Sequence, residues 1–165
     1  MSDGDEIQRK GVVVGQADTD QVEYMHRWWP AKPEELANIR RVVRTWMAPF
    51  ALGDDAVADL VLAVDEAVAN AVEHAYGPDE NGTIELMMWT EARALCVEVT
   101  DRGRWKSPSQ GASMRGRGIQ VMHAMTDSVL IHFDAQGTKV LMRRAFSASS
   151  ISDASSPGGL TPVES

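Results

Sequence analysis

The sequence predicts an α+β sandwich, in which helices cover one face of a single sheet. Three observations lead to this prediction. Two segments with apolar residues at helical spacing come early, a run of strand-like segments follows, and a hairpin pattern comes last. The chain has 165 residues, of which 44% are hydrophobic and 24% charged, so one domain with a substantial core is expected.

The N-terminal elements are predicted as follows. Residues 1–20 are expected to be mobile, ahead of a folded domain over residues 21–146. Strands are predicted for "GVVVGQ" and "VEYMHRWWPA", because Val, Tyr and Trp favour strands. A helix is predicted from about Pro33 to Phe50, with Pro33 suited to its first turn. Its apolar residues at helical spacing are Leu36, Ile39, Val43, Trp46 and Met47.

A second, longer helix is predicted next. Asp54 or Asp55 is expected to cap its N-terminus, and Gly77-Pro78 to end it. Its apolar stripe consists of Val57, Leu60, Val61, Val64, Val68, Ala71, Val72 and Ala75. Two strands follow, "GTIELMMWTE" and "ALCVEVTD", joined by a short turn near Ala92.

The C-terminal part is predicted to contain a loop, a helix and a hairpin. Residues 102–117 are predicted to form the loop, since they hold Gly, Ser, Pro and four Arg with little apolar content. "GIQVMHAM" is a short helix, and "SVLIHF" and "GTKVLMRRAF" form the closing hairpin. Residues 147–165 are expected to be a disordered Ser-rich tail.

Charge and composition argue against several classes of function. The net charge of −8 argues against a direct nucleic-acid surface, which would need a basic face. No apolar run reaches the roughly 18 residues needed to cross a bilayer, and the polar N-terminus does not resemble a signal peptide, so no membrane association is expected. The single Cys96 is expected to be a packing residue, which fits a reducing cytoplasm.

The most informative stretch is "VDEAVANAVEHAY", residues 64–76. Glu66 and Asn70 lie one helical turn apart, nearly opposite the apolar stripe, and no Lys or Arg occurs from Thr45 to Ala92. A solvated face is the commoner interpretation of such a pair, but solvated acids usually have cations at helical spacing. We therefore expect this face to be covered by something other than protein. An anion there would need a metal ion, backbone N–H groups or distant cations.

Two further motifs follow in the chain. In "VEVTDRG", Asp101 is either a turn residue or a carboxylate at the floor of a pocket, where it would accept a hydrogen bond from an amino group. In "GASMRGRGIQVM", glycines lead into a helix whose backbone N–H groups suit phosphate, although a flexible loop is the alternative. The motif is neither a P-loop nor a Rossmann fingerprint.

These motifs occur in a fixed order: "E-x-x-x-N-x-x-x-H-A-Y", "D-x-G", "G-R-G-I" and "G-T-K-V". In this order they resemble the nucleotide-binding fold of the GHKL superfamily, which includes histidine kinases, gyrase-type ATPases and Hsp90. Over about residues 30–145 the chain is most similar to RsbW-type anti-sigma factor serine kinases. The resemblance implies a two-layer α/β sandwich of the GHKL (Bergerat) type, with a mixed, mostly antiparallel sheet.

The resemblance also implies ATP and Mg²⁺ as cofactors and a role for each matching residue. Glu66 would be catalytic and would polarise the attacking hydroxyl or water. Asn70 would be the metal ligand, holding Mg²⁺ against the phosphates. Asp101 would accept a hydrogen bond from the adenine amino group, helped by a water and Thr138, and Gly103 would let the backbone approach the base.

The other implied nucleotide-binding residues belong to a short basic lid over the phosphates, about residues 104–115, and to the helix after it. They are Arg115, Gly116, Gly118 and Ile119. Arg104 and Lys106 are further cations within reach of phosphate. His74 and Tyr76 also match the family and are interpreted as packing residues.

The resemblance implies a cytoplasmic, ATP-dependent serine kinase that phosphorylates an anti-sigma antagonist and binds a sigma factor, with a possible homodimer. Two alternatives stay open. One is a nucleotide-dependent binding module without kinase activity. The other is the ATPase domain of a phosphatase-fusion regulator, since "DRGRW", which lacks the second Gly of many relatives, suits those proteins too. No phospho-accepting His helix is recognisable, so a complete sensor histidine kinase is not expected.

Overall fold

A computed structural model describes residues 23–50, 52–77, 80–91, 93–104 and 115–146, with only the backbone described at 115 and 116. These residues form five strands and three α-helices. In chain order they are β1 (Tyr24–Pro30), α1 (Leu36–Met47), α2 (Asp54–His74), β2 (Thr83–Glu91), β3 (Ala94–Asp101), α3 (Arg115–Met125), β4 (Ser128–Asp134) and β5 (Gly137–Ala145).

The five strands form one sheet in the order β1-β2-β3-β5-β4. Each of the four neighbouring pairs is antiparallel, so the expected α+β class is confirmed, and no parallel pair occurs among the described strands. The last strand, β5, lies between β3 and β4. This order places Asp101 at the end of β3 directly beside Thr138 on β5.

The helices cover one face of this sheet. Along β3, Leu95, Val97 and Val99 point into the core, as strand alternation requires, and Asp101 ends the same row. Helix α2 is buried along most of its length, because it packs on the sheet, on α1 and on α3. Its buried residues are Leu60, Val61, Ala63, Val64, Ala67, Val68 and Ala71.

Some element boundaries differ from the sequence prediction. The predicted helix over residues 33–50 is a central α-helix with a 3₁₀ turn at each end, at Pro33–Glu35 and Ala48–Phe50. The N-cap of α2 is Gly53, with no side-chain capping bond, so the prediction of Asp54 or Asp55 as the cap was wrong. Both acids lie in the first turn, where they still favour the helix dipole.

The loop predicted over residues 102–117 ends earlier than expected, because α3 already begins at Arg115. The sequence prediction missed the first turn of this helix because it contains glycines, which have low helix propensity. The predicted strand "GVVVGQ", most of the predicted lid and the Ser-rich tail lie outside the described residues. None of the described helices is long and apolar enough to span a membrane.

Cys96 is a packing residue, as the sequence predicts. It is 3% exposed. Burial raises the pKa of the Cys96 thiol, and the charge of Glu91 adds to this effect. A thiol that is held protonated and inaccessible is a poor nucleophile, so Cys96 is not a candidate catalytic residue.

Candidate active site

Glu66 and Asn70 project from the middle of α2 towards α3, and both side chains are half-buried. Gly118 of α3 lies directly against them. A Cβ atom at Gly118 would be 2.9 Å from Oε2 of Glu66 and 3.3 Å from Nδ2 of Asn70. Part of this helix face is therefore covered by α3, which corrects the expectation that only a non-protein group covers it.

The described part of the chain supplies no partner for these two side chains. Neither the Glu66 nor the Asn70 side chain forms a hydrogen bond or an ion pair with another described residue. One of the three arginines of the neighbouring helix α1, Arg40, pairs with Asp65, at 3.4 Å. Within these limits, the Glu66 carboxylate and the Asn70 amide keep their hydrogen-bonding capacity for a ligand.

An apolar pocket extends from Asn70 to the ends of β3 and β5, between α2, α3 and the sheet. Its α2 wall consists of small residues, one per helical turn, which leave space that larger side chains would fill. The apolar and polar residues that line it are Ala67, Asn70, Ala71, Ala75, Val99, Asp101, Ile119, Met122, Ile131, Phe133, Thr138 and Val140. Mostly apolar walls with a few polar groups are typical of small-molecule sites, but the free volume of this cavity is only about 20 Å³, so a bound base would require its walls to separate.

Asp101 is the buried charged group of this pocket and is only 6% exposed. Its Oδ1 accepts a hydrogen bond from the Gly103 N–H at 3.1 Å, and the Thr138 N–H and hydroxyl also donate to the carboxylate. Burial raises the pKa of Asp101 above its ordinary value, while these hydrogen bonds act in the opposite direction. The result is an oriented, desolvated acceptor.

Two glycines allow the backbone to close around Asp101. A Cβ atom at Gly103 would overlap the carbonyl oxygen of Ala75, at the end of α2. A Cβ atom at Gly137 would overlap the carbonyl oxygen of Asp101, and Gly137 has a φ of +139°, which L side chains rarely adopt. Glycine is therefore required at 103 for the turn after β3 to meet the end of α2, and at 137 for the start of β5 to meet the end of β3.

The structure brings most of the predicted site residues to one pocket. Those at or beside it are Glu66, Asn70, Asp101, Gly103, Gly118, Ile119 and Thr138. Arg115 and Gly116 are the first two residues of α3, and their side-chain positions lie outside the description. Arg104 begins the predicted lid, whereas Lys106 is outside the described residues.

Sequence reasoning missed several pocket residues. The alanines at 67, 71 and 75 recur every four residues, and this small-residue spacing on one helix face was a usable signal. Ile131 and Phe133 line the opposite wall from β4. No local pattern indicated them, because their position depends on the pairing of β4 with β5.

The residues at the Glu66 end suit a Mg²⁺ ion that is shared with a phosphate ligand. Within the described residues no group of three or more His, Cys, Asp or Glu side chains could hold a metal alone. Mg²⁺ at phosphoryl-transfer sites usually needs only one or two protein oxygens, with phosphates and water completing its octahedron. The Asn70 amide oxygen could be such a ligand, and Gly118 carries no side chain that would crowd it.

Comparison with known proteins agrees with this geometry. Residues 29–144 match the histidine kinase-like ATPase domain. The chain belongs to this family. The match runs from the end of β1 into β5, so it includes both ends of the pocket, and it confirms the resemblance that the sequence motifs indicated.

Within the histidine kinase-like ATPase family, the chain is similar to named regulators. It is 28% identical over 146 residues to a serine-protein kinase RsbW of Bacillus licheniformis. This alignment covers 79% of this chain and 91% of the relative. It is 26% identical over 128 residues to an anti-sigma F factor of Clostridium botulinum, covering 70% of this chain and 90% of the relative.

A solved structure shares the fold. It contains the RsbU and RsbW domains of a Mycobacterium tuberculosis protein, and it superposes with a TM-score of 0.61 at 25% identity. The superposition covers 74% of this chain but only 32% of that longer chain.

Proposed function

We propose that this protein is an ATP- and Mg²⁺-dependent protein serine kinase that phosphorylates an anti-sigma antagonist. We further propose that it binds a sigma factor in the cytoplasm and controls it by partner switching. The similarity to proteins named as RsbW kinases and anti-sigma F factors supports the choice of partners. The observation that carries the kinase proposal is the Glu66–Asn70 pair beside Gly118, at one end of a pocket whose other end holds Asp101.

The end of the pocket at Asp101 favours adenine. Asp101 is an acceptor whose orientation is set by the Gly103 N–H and by Thr138. Adenine presents an amino group to such an acceptor, whereas guanine presents a carbonyl oxygen at the same ring position, so two acceptors would face each other. The apolar walls contributed by Ile119 and Phe133 suit the faces of a purine ring.

The end of the pocket at Glu66 and Asn70 suits phosphoryl transfer to a hydroxyl group. The Glu66 carboxylate accepts a hydrogen bond from the substrate serine and takes up its proton as the serine oxygen bonds to the γ-phosphorus of ATP. The bond from that phosphorus to the bridging oxygen breaks, and ADP leaves. The Asn70 amide oxygen would hold Mg²⁺, which would neutralise charge on the phosphate groups. Gly118 lets α3 approach these groups without filling the space they need.

Two substitutions test this assignment because they separate binding from chemistry. Glu66→Ala removes a group that acts mainly in the transition state, so ATP affinity is retained while transfer falls by about 10²- to 10⁴-fold. Asn70→Ala removes a metal ligand, so Mg²⁺-dependent ATP binding and transfer both fall.

The measurement is a set of ATP titrations with and without Mg²⁺, combined with labelled-ATP phosphorylation of candidate antagonists. Unchanged phosphorylation by Glu66→Ala would contradict the proposed role of this helix. Tight ATP binding by the wild type without modification of any antagonist would instead support a nucleotide-dependent binding module.

A further inference from the structure

Tyr76 lies just beyond the C-terminal end of α2 and connects three parts of the fold. Its hydroxyl donates a hydrogen bond to the Thr83 carbonyl oxygen, at 2.7 Å, and accepts one from the Arg102 N–H, at 2.9 Å. Thr83 begins β2, and Arg102 is the first residue after β3. One hydroxyl group therefore joins the end of α2 to the backbone beside two adjacent strand ends.

The Tyr76 ring is itself held in place. It lies so close to Gly82 that a Cβ atom there would overlap the ring carbons. Gly82 is in turn anchored, since its carbonyl oxygen accepts a hydrogen bond from the Ala31 N–H at 2.9 Å. With the ring fixed on this backbone, the hydroxyl group has a defined position. Its bond to the Thr83 carbonyl oxygen orients it, and its bond from the Arg102 N–H constrains the turn after β3.

The turn that Tyr76 holds is the one that carries the adenine-binding group. Three successive residues of this turn, 102, 103 and 104, contact Ala75 or Tyr76 just beyond the end of α2. The Arg102 N–H donates to Tyr76, Gly103 packs on the Ala75 carbonyl group, and the Arg104 N–H donates to the Ala75 oxygen at 2.8 Å. The Gly103 N–H in this turn also donates to the Asp101 carboxylate, at 3.1 Å.

We propose that Tyr76 is a positioning residue for nucleotide recognition, whose hydroxyl holds the turn after β3 so that Asp101 and Gly103 are preset for the base. This inference rests on the proposed ATP-binding function and goes beyond a packing role for Tyr76. Tyr76 does not line the pocket, so it acts through the backbone of Arg102. Without the hydroxyl, the turn samples more conformations, and the ligand must then order it on binding.

The test is Tyr76→Phe, which removes the hydroxyl and keeps the ring on Gly82. Tyr24→Phe is the matched control, since the Tyr24 hydroxyl contacts Met87 Sδ, at 3.4 Å, on exposed side chains away from the pocket. Calorimetry with ATP and GTP, amide hydrogen exchange and thermal melting are measured for wild type and both variants. The exchange experiment reports directly on the Arg102 and Arg104 amides, without any nucleotide.

For Tyr76→Phe we expect ATP affinity to fall by about 3- to 10-fold, the range set by one or two lost hydrogen bonds. The ratio of ATP affinity to GTP affinity should decrease, and the Arg102 and Arg104 amides should exchange faster. Tyr24→Phe should match wild type in all three measurements. A role in stability alone would lower the melting temperature and leave the ATP to GTP ratio unchanged.

The inference is overturned if Tyr76→Phe keeps wild-type ATP affinity and base discrimination, even when its melting temperature falls. It is also overturned if wild type binds ATP and GTP equally, because Asp101 would then select no base. Failure of the proposed kinase function is a separate result. It would be seen as absent transfer to any antagonist, whereas the Tyr76 comparison is made on binding and exchange alone.

Discussion

Asp101 is the residue on which base selection is proposed to depend. Asp101→Ala should lower ATP affinity by about 1.5–3 kcal/mol, or roughly 10- to 150-fold, because it removes the buried acceptor for the adenine amino group. Calorimetry with ATP and GTP measures the change. Asp134→Ala is a matched control, since Asp134 also accepts a backbone N–H two residues along, from Gln136 at 2.7 Å, but does so in an exposed turn.

The Asp134 variant should keep wild-type affinity and preference for ATP. Equal affinity of wild type for the two nucleotides would contradict the assignment of Asp101, whatever the two variants show.

The raised pKa of Asp101 gives nucleotide binding a pH dependence. The ionised carboxylate accepts a stronger hydrogen bond from adenine than the protonated acid does, so ATP affinity should fall as pH drops through this pKa, above the ~3.9 of an ordinary Asp. The pH dependence of folding stability has the opposite sign. A carboxyl with a raised folded pKa stabilises the fold below its unfolded pKa, and this contribution is lost as pH rises through the folded pKa.

ATP titrations over a pH series measure the effect on binding. Asp101→Asn is the reference, because it lacks the titrating group, while the ionisation of ATP and its binding of Mg²⁺ change with pH in the same way as for wild type. A wild-type profile that is parallel to that of Asp101→Asn across the acidic range would show that Asp101 does not titrate in binding.

Among single residues, those with distinctive chemistry could be predicted from the sequence. Glu66 and Asn70 could be inferred as a ligand-facing pair because no cation occurs nearby in the chain, and Asp101 because it ends a buried strand. Gly137 could not be assigned a role in the same way. Its requirement comes from the Asp101 carbonyl oxygen, which is 36 positions away in sequence and meets it only through the pairing of β3 with β5.

At the scale of elements, the contact between α2 and α3 determines the geometry of the pocket around Glu66 and Asn70. Gly118→Ala should disturb this geometry, because the added Cβ would be 2.9 Å from Oε2 of Glu66. Alanine favours a helix over glycine by about 1 kcal/mol, so thermal stability should change little while transfer falls. A displacement on the ångström scale is enough to lower transfer by about 10- to 100-fold.

Thermal melting and phosphorylation assays on the same preparations check this split between stability and activity. Gly53→Ala is the control, since a Cβ at Gly53 meets nothing within 4 Å, and it should transfer phosphate like wild type. Wild-type transfer by Gly118→Ala would indicate that Glu66 and Asn70 have room to move.

The elements themselves could be predicted well where periodicity is strong. The two central strands and α2 have nearly the predicted extents, since each has a clear alternation or apolar stripe. The start of α3 could not be predicted, because glycines at 116 and 118 give its first turn a loop-like composition. The position of β5 between β3 and β4 is likewise absent from any local pattern, since strand order depends on long-range pairing.

At the scale of the whole molecule, strand order is what creates the site. The insertion of β5 beside β3 brings Thr138 to Asp101, and the packing of α2 on the same face brings Asn70 to the pocket that they share. Asp101 and Asn70 are 31 positions apart in sequence. Their common pocket exists only once α2, α3 and the sheet have packed around one core.

The described core also predicts how much of the C-terminus the fold requires. Phe146 packs against the core, and its N–H donates to the Arg93 carbonyl oxygen at 2.9 Å. A chain ending at Phe146 should therefore keep the melting temperature and ATP affinity of the full chain, because residues 147–165 are Ser-rich and offer few apolar groups for burial.

A chain ending at Arg143 is the contrasting truncation. It loses Arg144, which donates to the Met125 carbonyl oxygen at 3.1 Å and to Asp59 at 3.2 Å, together with the packing of Phe146. Removing a half-buried ion pair and an aromatic side chain should cost more than about 2 kcal/mol. Thermal melting and ATP titration of the two truncations separate them. Aggregation or a clearly lower melting temperature of the chain ending at Phe146 would mean that residues after 146 contribute to the folded domain.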